Sequence, residues 1–102
     1  MNKFPLAAGL AATLLCIPLA AEAGPINRAC MDSGRRGASS ALCSCLDRVS
    51  KDTLTRSDRR KAARFFADPQ KAQDMRQSDR PKDEAFWKRY QHFTDKAADM
   101  CG

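Results

Sequence analysis

Residues 81–101, PKDEAFWKRYQHFTDKAADMC, carry the strongest periodic signal in the chain. Phe86, Tyr90, Phe93, Ala97 and Cys101 recur three and four positions apart, the spacing of one face of an α-helix. Lys88, Arg89, His92 and Lys96 fall on its polar side. Ser78-Asp79-Arg80-Pro81 supplies the start of this helix, with a proline where the first turn needs no N–H donor. Cys101, the penultimate residue, ends the apolar stripe, so a bridge from it pins a terminus that otherwise frays.

The preceding segments read as shorter helices. Asp68-Pro69 offers a cap and a first-turn proline, opening a helix through Ala72 and Met75 to about Gln77. Thr55-Arg56-Ser57-Asp58 resembles a capping box with a shorter acid at its third helical position, and good helix formers follow as far as Ala67. Further upstream, Leu42, Cys45, Leu46, Val49 and Thr53 share a stripe after a cap at Ser39 or Ser40, so Cys45 is expected to face the core. Ile26 to Met31 makes one or two turns before the glycines of Asp32-Ser33-Gly34-Arg35-Arg36-Gly37. Ser57-Asp58-Arg59 and Ser78-Asp79-Arg80 look alike because both are helix starts, and duplication is not inferred from them. With no strand-like alternation anywhere, the fold class is all-α, a small disulfide-stapled bundle of four to five short helices.

That bundle is expected to follow a cleaved leader. Lys3 opens a charged start, Phe4 to Leu19 is apolar, and Ala21-Glu22-Ala23 places small residues at the minus-three and minus-one subsites of a signal peptidase. The apolar stretch falls short of the roughly 20 residues that cross a bilayer and contains Pro5 and Pro18. Leu15 before Cys16 does not fit a lipoprotein box. We therefore expect residues 1–23 to be a signal peptide cut before Gly24, and residues 24–102 to be one helical domain, periplasmic or secreted. Cleavage removes Lys3 and Glu22, so the net charge stays at +6.

The mature part has a thin apolar complement: Ile26, Leu42, Leu46, Val49, Leu54 and the phenylalanines at 65, 66, 86 and 93. Covalent help is expected where so little surface can be buried. Cys30, Cys43, Cys45 and Cys101 remain after cleavage, an even number in an oxidising compartment, which makes two disulfides the expected arrangement. Cys43 and Cys45 lie about 160° apart around a helix, so one helix is stapled on two sides. Our choice joins Cys30 to Cys43 and Cys45 to Cys101; the rival joins Cys30 to Cys45 and Cys43 to Cys101. A Cys-x-Cys spacing is shorter than structural zinc sites favour, and neither a metal nor another cofactor is expected.

Candidate binding residues are basic. On a regular helix Arg56, Arg60 and Arg64 line up opposite Ala62, Phe65 and Phe66, with Arg59 and Lys61 on the flanks. Guanidinium groups in such a ridge grip phosphates and carboxylates in forked geometry, so an anionic protein, envelope polymer or lipid headgroup is the expected partner. Export removes the chain from cytoplasmic nucleic acid. Trp87, about 100° from Phe86 around the helix, belongs at the edge of the core and is a candidate partner contact. His92, the only histidine, is expected to be solvated. Neither a nucleophile elbow, a phosphate-cradling glycine loop nor a zinc-protease pair is present. A domain of this size also leaves little room for a pocket of the usual few hundred cubic ångströms, so an enzyme is not expected. The rival readings are a thiol-disulfide or metal-handling factor built on Cys43 and Cys45.

Thr55-Arg56-Ser57-Asp58-Arg59-Arg60-Lys61-Ala62-Ala63-Arg64-Phe65-Phe66, then Asp68-Pro69-Gln70-Lys71-Ala72-Gln73, Phe86-Trp87-Lys88-Arg89-Tyr90 and the cysteine pattern, resemble a family of small exported bacterial four-cysteine proteins. Its members are uncharacterised, apart from some labelled arginine transporter. The resemblance implies no catalytic residues. Because a mature chain without a membrane span cannot form a translocation path alone, the label implies at most an accessory role in arginine uptake.

Overall fold

The computed structural model describes residues 23–102, so the leader expected over residues 1–23 lies outside them except for Ala23. Among the described residues there are five helices and no strand: α1 (Pro25–Asp32), α2 (Ser40–Thr53), α3 (Arg56–Ala67), α4 (Pro69–Arg76) and α5 (Pro81–Cys101). Each boundary has a local chemical cause. Ser39 Oγ accepts the Leu42 N–H at 3.1 Å to open α2, Thr55 Oγ1 accepts the Asp58 N–H at 3.1 Å to open α3, and Asp68 Oδ1 accepts the Gln70 N–H at 3.2 Å to open α4. Between α1 and α2 the chain turns through Gly34 at φ 67° and Gly37 at φ 88°, a left-handed backbone that side chains with a Cβ resist.

The resulting bundle sets α1 against α2 and α3, runs α5 along α2, and lays α4 across α3 and α5. Ile26, Val49, Leu54, Ala62, Phe65, Phe86, Phe93 and Ala97 form the buried apolar cluster where these helices meet. Its aromatic part is in edge contact: the Phe65 ring lies 5.1 Å from Tyr90 and 6.0 Å from Phe86, both close to perpendicular. The stripe read on the last helix is thus the one that the fold buries, with Phe86 fully enclosed. The stripe read on α2 is only partly right. Val49 is buried, Cys45 and Leu46 pack half-buried against the margin of the core, and Leu42 is half-exposed, whereas Cys43, Asp47 and Ser50 are enclosed on another face. The short α1 covers that second face of α2, and its presence there was not deducible from α2's own pattern.

Both disulfides follow the first pairing: Cys30–Cys43 joins α1 to α2 and Cys45–Cys101 joins α2 to the end of α5. The 160° offset between Cys43 and Cys45 is what lets one helix hold a neighbour on each side. The two apparent repeats prove unlike. In the first, Asp58 turns inward; in the second, Ser78 Oγ donates to Asp83 at 2.6 Å and accepts the Arg80 N–H at 3.2 Å, and α5 starts at Pro81 with no side-chain cap.

Closing a loop of 56 residues with Cys45–Cys101 removes unfolded-state entropy worth about 4 kcal/mol, and the 13-residue loop of Cys30–Cys43 about 3 kcal/mol. Replacing Cys45 and Cys101 by Ser should therefore lower the urea unfolding free energy more than replacing Cys30 and Cys43. Strong reductant should abolish cooperative melting of the wild-type protein.

Candidate functional site

The basic helix α3 presents two unlike faces. Arg56, Arg60 and Arg64 are exposed, and their side chains have no hydrogen bond or ion pair among the described residues. On the opposite side Ala62 and Phe65 enter the core, and Asp58 is 5% exposed. Arg89, on α5, grips the Asp58 carboxylate with two donors, Nε at 2.6 Å and an outer guanidinium nitrogen at 3.2 Å. This forked pair ties α3 to α5 with the geometry that Arg provides and Lys does not. Reading the sequence alone placed Arg89 among solvated residues and Asp58 in a cap. The signal that reveals the pair is the register of the two helices, which no local pattern contains.

Arg59, grouped with the ridge from the sequence, turns inward instead. One terminal guanidinium nitrogen donates to the Leu54 carbonyl at 2.8 Å, stitching the start of α3 to the end of α2. Lys61, the other flanking cation, lies with Nζ 4.7 Å from the centre of the Phe86 ring.

Beyond Lys61, residues of α3, α4, the turn at residues 78–80 and the start of α5 line an open cleft of about 420 Å³. The sequence-based expectation of no such pocket fails because α4, a short helix anchored through half-buried Ala72 and Met75, buries no residue of its own and leaves a hollow beside Phe65 where it meets α3 and the start of α5. Lys61, Arg64, Lys71 and Arg80 line the cleft, together with the carboxylates of Asp74 and Asp83 and an apolar wall of Phe65 and Met75. Both carboxylates are already engaged: Asp83 accepts from Ser78 and lies 3.9 Å from Arg80 Nε, and Asp74 accepts from the Gln70 amide at 3.0 Å. Arg64 and Lys71 have no ion-pair partner among the described residues. Arg64 therefore belongs both to the exposed ridge and to the cleft, which opens at the ridge's end.

Trp87 is half-buried at the core's edge, with its ring 5.1 Å from Tyr90. It lines a different groove, of about 420 Å³, beside Glu84, Lys88 and Gln91. The structure thus does not bring Trp87 together with the arginines in one site. His92 is exposed. The four cysteines are consumed in disulfides, so a Cys43 and Cys45 thiol centre would require first breaking both staples.

The Asp58–Arg89 pair is asymmetric, because the carboxylate is buried while the Arg89 side chain is 47% exposed. Arg89→Ala should lower stability by about 2 kcal/mol, since it strands a charged acceptor. Asp58→Ala, which lets the arginine swing into water, should cost nearer 1 kcal/mol. Paired urea titrations check the order. The chain matches no family model, no curated protein sequence and no solved structure.

Proposed function

We infer that this small disulfide-bonded helical domain is a non-catalytic binding module, exported to the periplasm or beyond, that holds anionic components of the cell envelope. The observation that carries this reading is the alignment of unpaired cations: Arg56 and Arg60 on the open face of α3, then Arg64 and Lys71 at a cleft where cations outnumber carboxylates. The cleft suits a single phosphate or carboxylate end, with Phe65 and Met75 against its carbon skeleton. The ridge suits the further charges of a polymer or a headgroup layer, which both present repeated anions to a row of guanidinium groups. Disulfides of the observed kind persist in oxidising compartments, which agrees with export. Among the described residues no helix is long and apolar enough to cross a membrane, so membrane contact in this reading is by surface charge. Free arginine, itself a net cation, meets like charge in this cleft, which disfavours it as the ligand there.

Vesicles containing phosphatidylglycerol, and soluble polyphosphate, test the reading. The processed protein should bind both and ignore phosphatidylcholine vesicles. With roughly 1 kcal/mol per basic residue at an anionic surface, the triple change Arg56→Gln, Arg60→Gln, Arg64→Gln should weaken binding about 100-fold at low salt and flatten its salt dependence. For the cleft, Arg64→Gln with Lys71→Gln should weaken binding of glycerol 3-phosphate, whose affinity should rise with pH as the phosphate gains its second charge near about pH 6. Retention of both polyanions by the triple variant overturns the assignment.

A further inference from the structure

The first turn of α1 has no capping side chain of its own, since its N-cap is Gly24 and Pro25 follows. Its cap comes from across the bundle. Asp47, on α2 and 4% exposed, accepts the Asn27 N–H through Oδ1 at 3.0 Å and the Gly24 N–H through Oδ2 at 3.2 Å. Asn27 is the third helical position, whose N–H a capping side chain ordinarily takes. Asn27 Nδ2 donates in turn to Ser44 Oγ at 3.3 Å, fixing the same junction.

Residue 24 is constrained to glycine by this arrangement. A Cβ there would sit 2.7 Å from Asp47 Oδ1, closer than real Cβ atoms approach, and a tight 3.1 Å from Oδ2, so the carboxylate would have to shift from its place. The nitrogen of Gly24 is also the atom that cleavage after Ala23 would set free. Hydrolysis adds water across the Ala23–Gly24 amide: the carboxylate leaves with residue 23, and the Gly24 nitrogen takes up protons to become an α-ammonium.

We propose that the mature amino terminus is the Gly24 ammonium and that Asp47 is its built-in receptor, so that removal of the leader converts a neutral hydrogen bond into a partly buried ion pair. This rests on the cut before Gly24 expected from the sequence, and not on the anion-binding reading. Two other cations lie near the new ammonium, Lys51 and Arg28. The exposed Arg28 guanidinium donates to the Ala23 carbonyl at 2.8 Å and loses that acceptor with the leader, so it can turn into water. Lys51 Nζ lies 3.5 Å from Oδ2, but its side chain is 48% exposed, so water screens its contribution. A carboxylate this enclosed gains from a second cation held by the backbone itself, which loses little conformational freedom on pairing. The ammonium in turn sits at the positive end of the α1 dipole, where it is unfavourable unless a carboxylate lies beside it. Processing thus strengthens the junction of α1 with α2 that Cys30–Cys43 also spans, and the mature domain is better ordered than its precursor.

The test uses the full chain, exported and processed by its own leader. Its intact mass should begin at Gly24; a different first residue overturns the proposal. A second chain carries Ser-Gln inserted between Ala23 and Gly24: glutamine is too large for the minus-one subsite, so the cut stays after Ala23, the ammonium moves two residues away and an amide is left at Gly24. The native protein should melt several degrees higher. That difference should vanish when Asp47→Asn is made in both. Equal melting with Asp47 present, or a difference that survives Asp47→Asn, overturns the pair. Should Asp47→Asn fail to fold, the Gly24 Cα resonance followed against pH decides: the amine should titrate above the ordinary range of about 7.7–8.0, and a value within that range counts against the proposal.

Discussion

Everything in this domain is conditioned by how little apolar surface it can bury. Two of the eight residues in the central cluster are alanines, and Leu42, Leu46 and Phe66, which a larger protein would enclose, stay half-exposed. Ordering a chain of this length against its conformational entropy with such a core is marginal. The disulfides act on the other side of the balance, by restricting the unfolded chain. Their placement matters as much as their number. Both leave α2, in opposite directions, so the helix that contributes few large side chains becomes the one to which α1 and the end of α5 are fastened.

Where the core is thin, polar groups carry the specificity of packing. Asp47, Ser50 and Asp58 are buried, and each is satisfied by a group on its own or a neighbouring helix: Ser50 Oγ donates to the Asp47 carbonyl at 2.7 Å, Asp47 caps α1, and Asp58 takes the fork of Arg89. Greasy contacts between short helices tolerate sliding, whereas a carboxylate that must meet two particular N–H groups does not. Apolar replacements for such buried charges often give comparable stability, but the helix register would then rest on a handful of rings. Lys61 follows the same logic, covering the Phe86 ring with a cation that still reaches the cleft.

The helices were legible because their signals are local. Serine, threonine and aspartate caps, first-turn prolines and the glycines of the α1–α2 turn each act within a few residues, and the long stripe of α5 is buried as its spacing demands. The number of disulfides was legible too, and helical geometry sends Cys43 and Cys45 to different neighbours, but that offset fits both remaining pairings, and only the packing of α1 and α5 on α2 selects between them. Tertiary polar contacts were not. Asp47 and Gly24 are separated by 23 residues, Asp58 and Arg89 by 31, and nothing in either local context distinguishes them from solvated charges. For the same reason Arg59 was grouped with a ridge that it leaves, and the cleft was missed: its walls come from three helices, and an open space between elements has no sequence signature.

The distribution of the staples gives the two ends of the bundle different work. α1, α2 and the last turn of α5 are covalently joined, and the buried carboxylate of Asp47 sits among them. No disulfide reaches α3, α4 or the start of α5, where Arg64, Lys71 and Arg80 gather. Of the five helices α4 alone contains no buried residue, so it is held by the fewest apolar contacts and opens at the lowest free-energy cost. Cations drawn toward one cleft repel one another, and that repulsion acts on the element least able to resist it. An anion seated between Arg64 and Lys71 removes the repulsion and bridges α3 to α4, adding at the unstapled end the tie that the disulfides supply at the other. On the proposed anion-binding reading, binding and ordering of α4 are therefore coupled in sign, each favouring the other, while the disulfides hold the opposite end of the bundle.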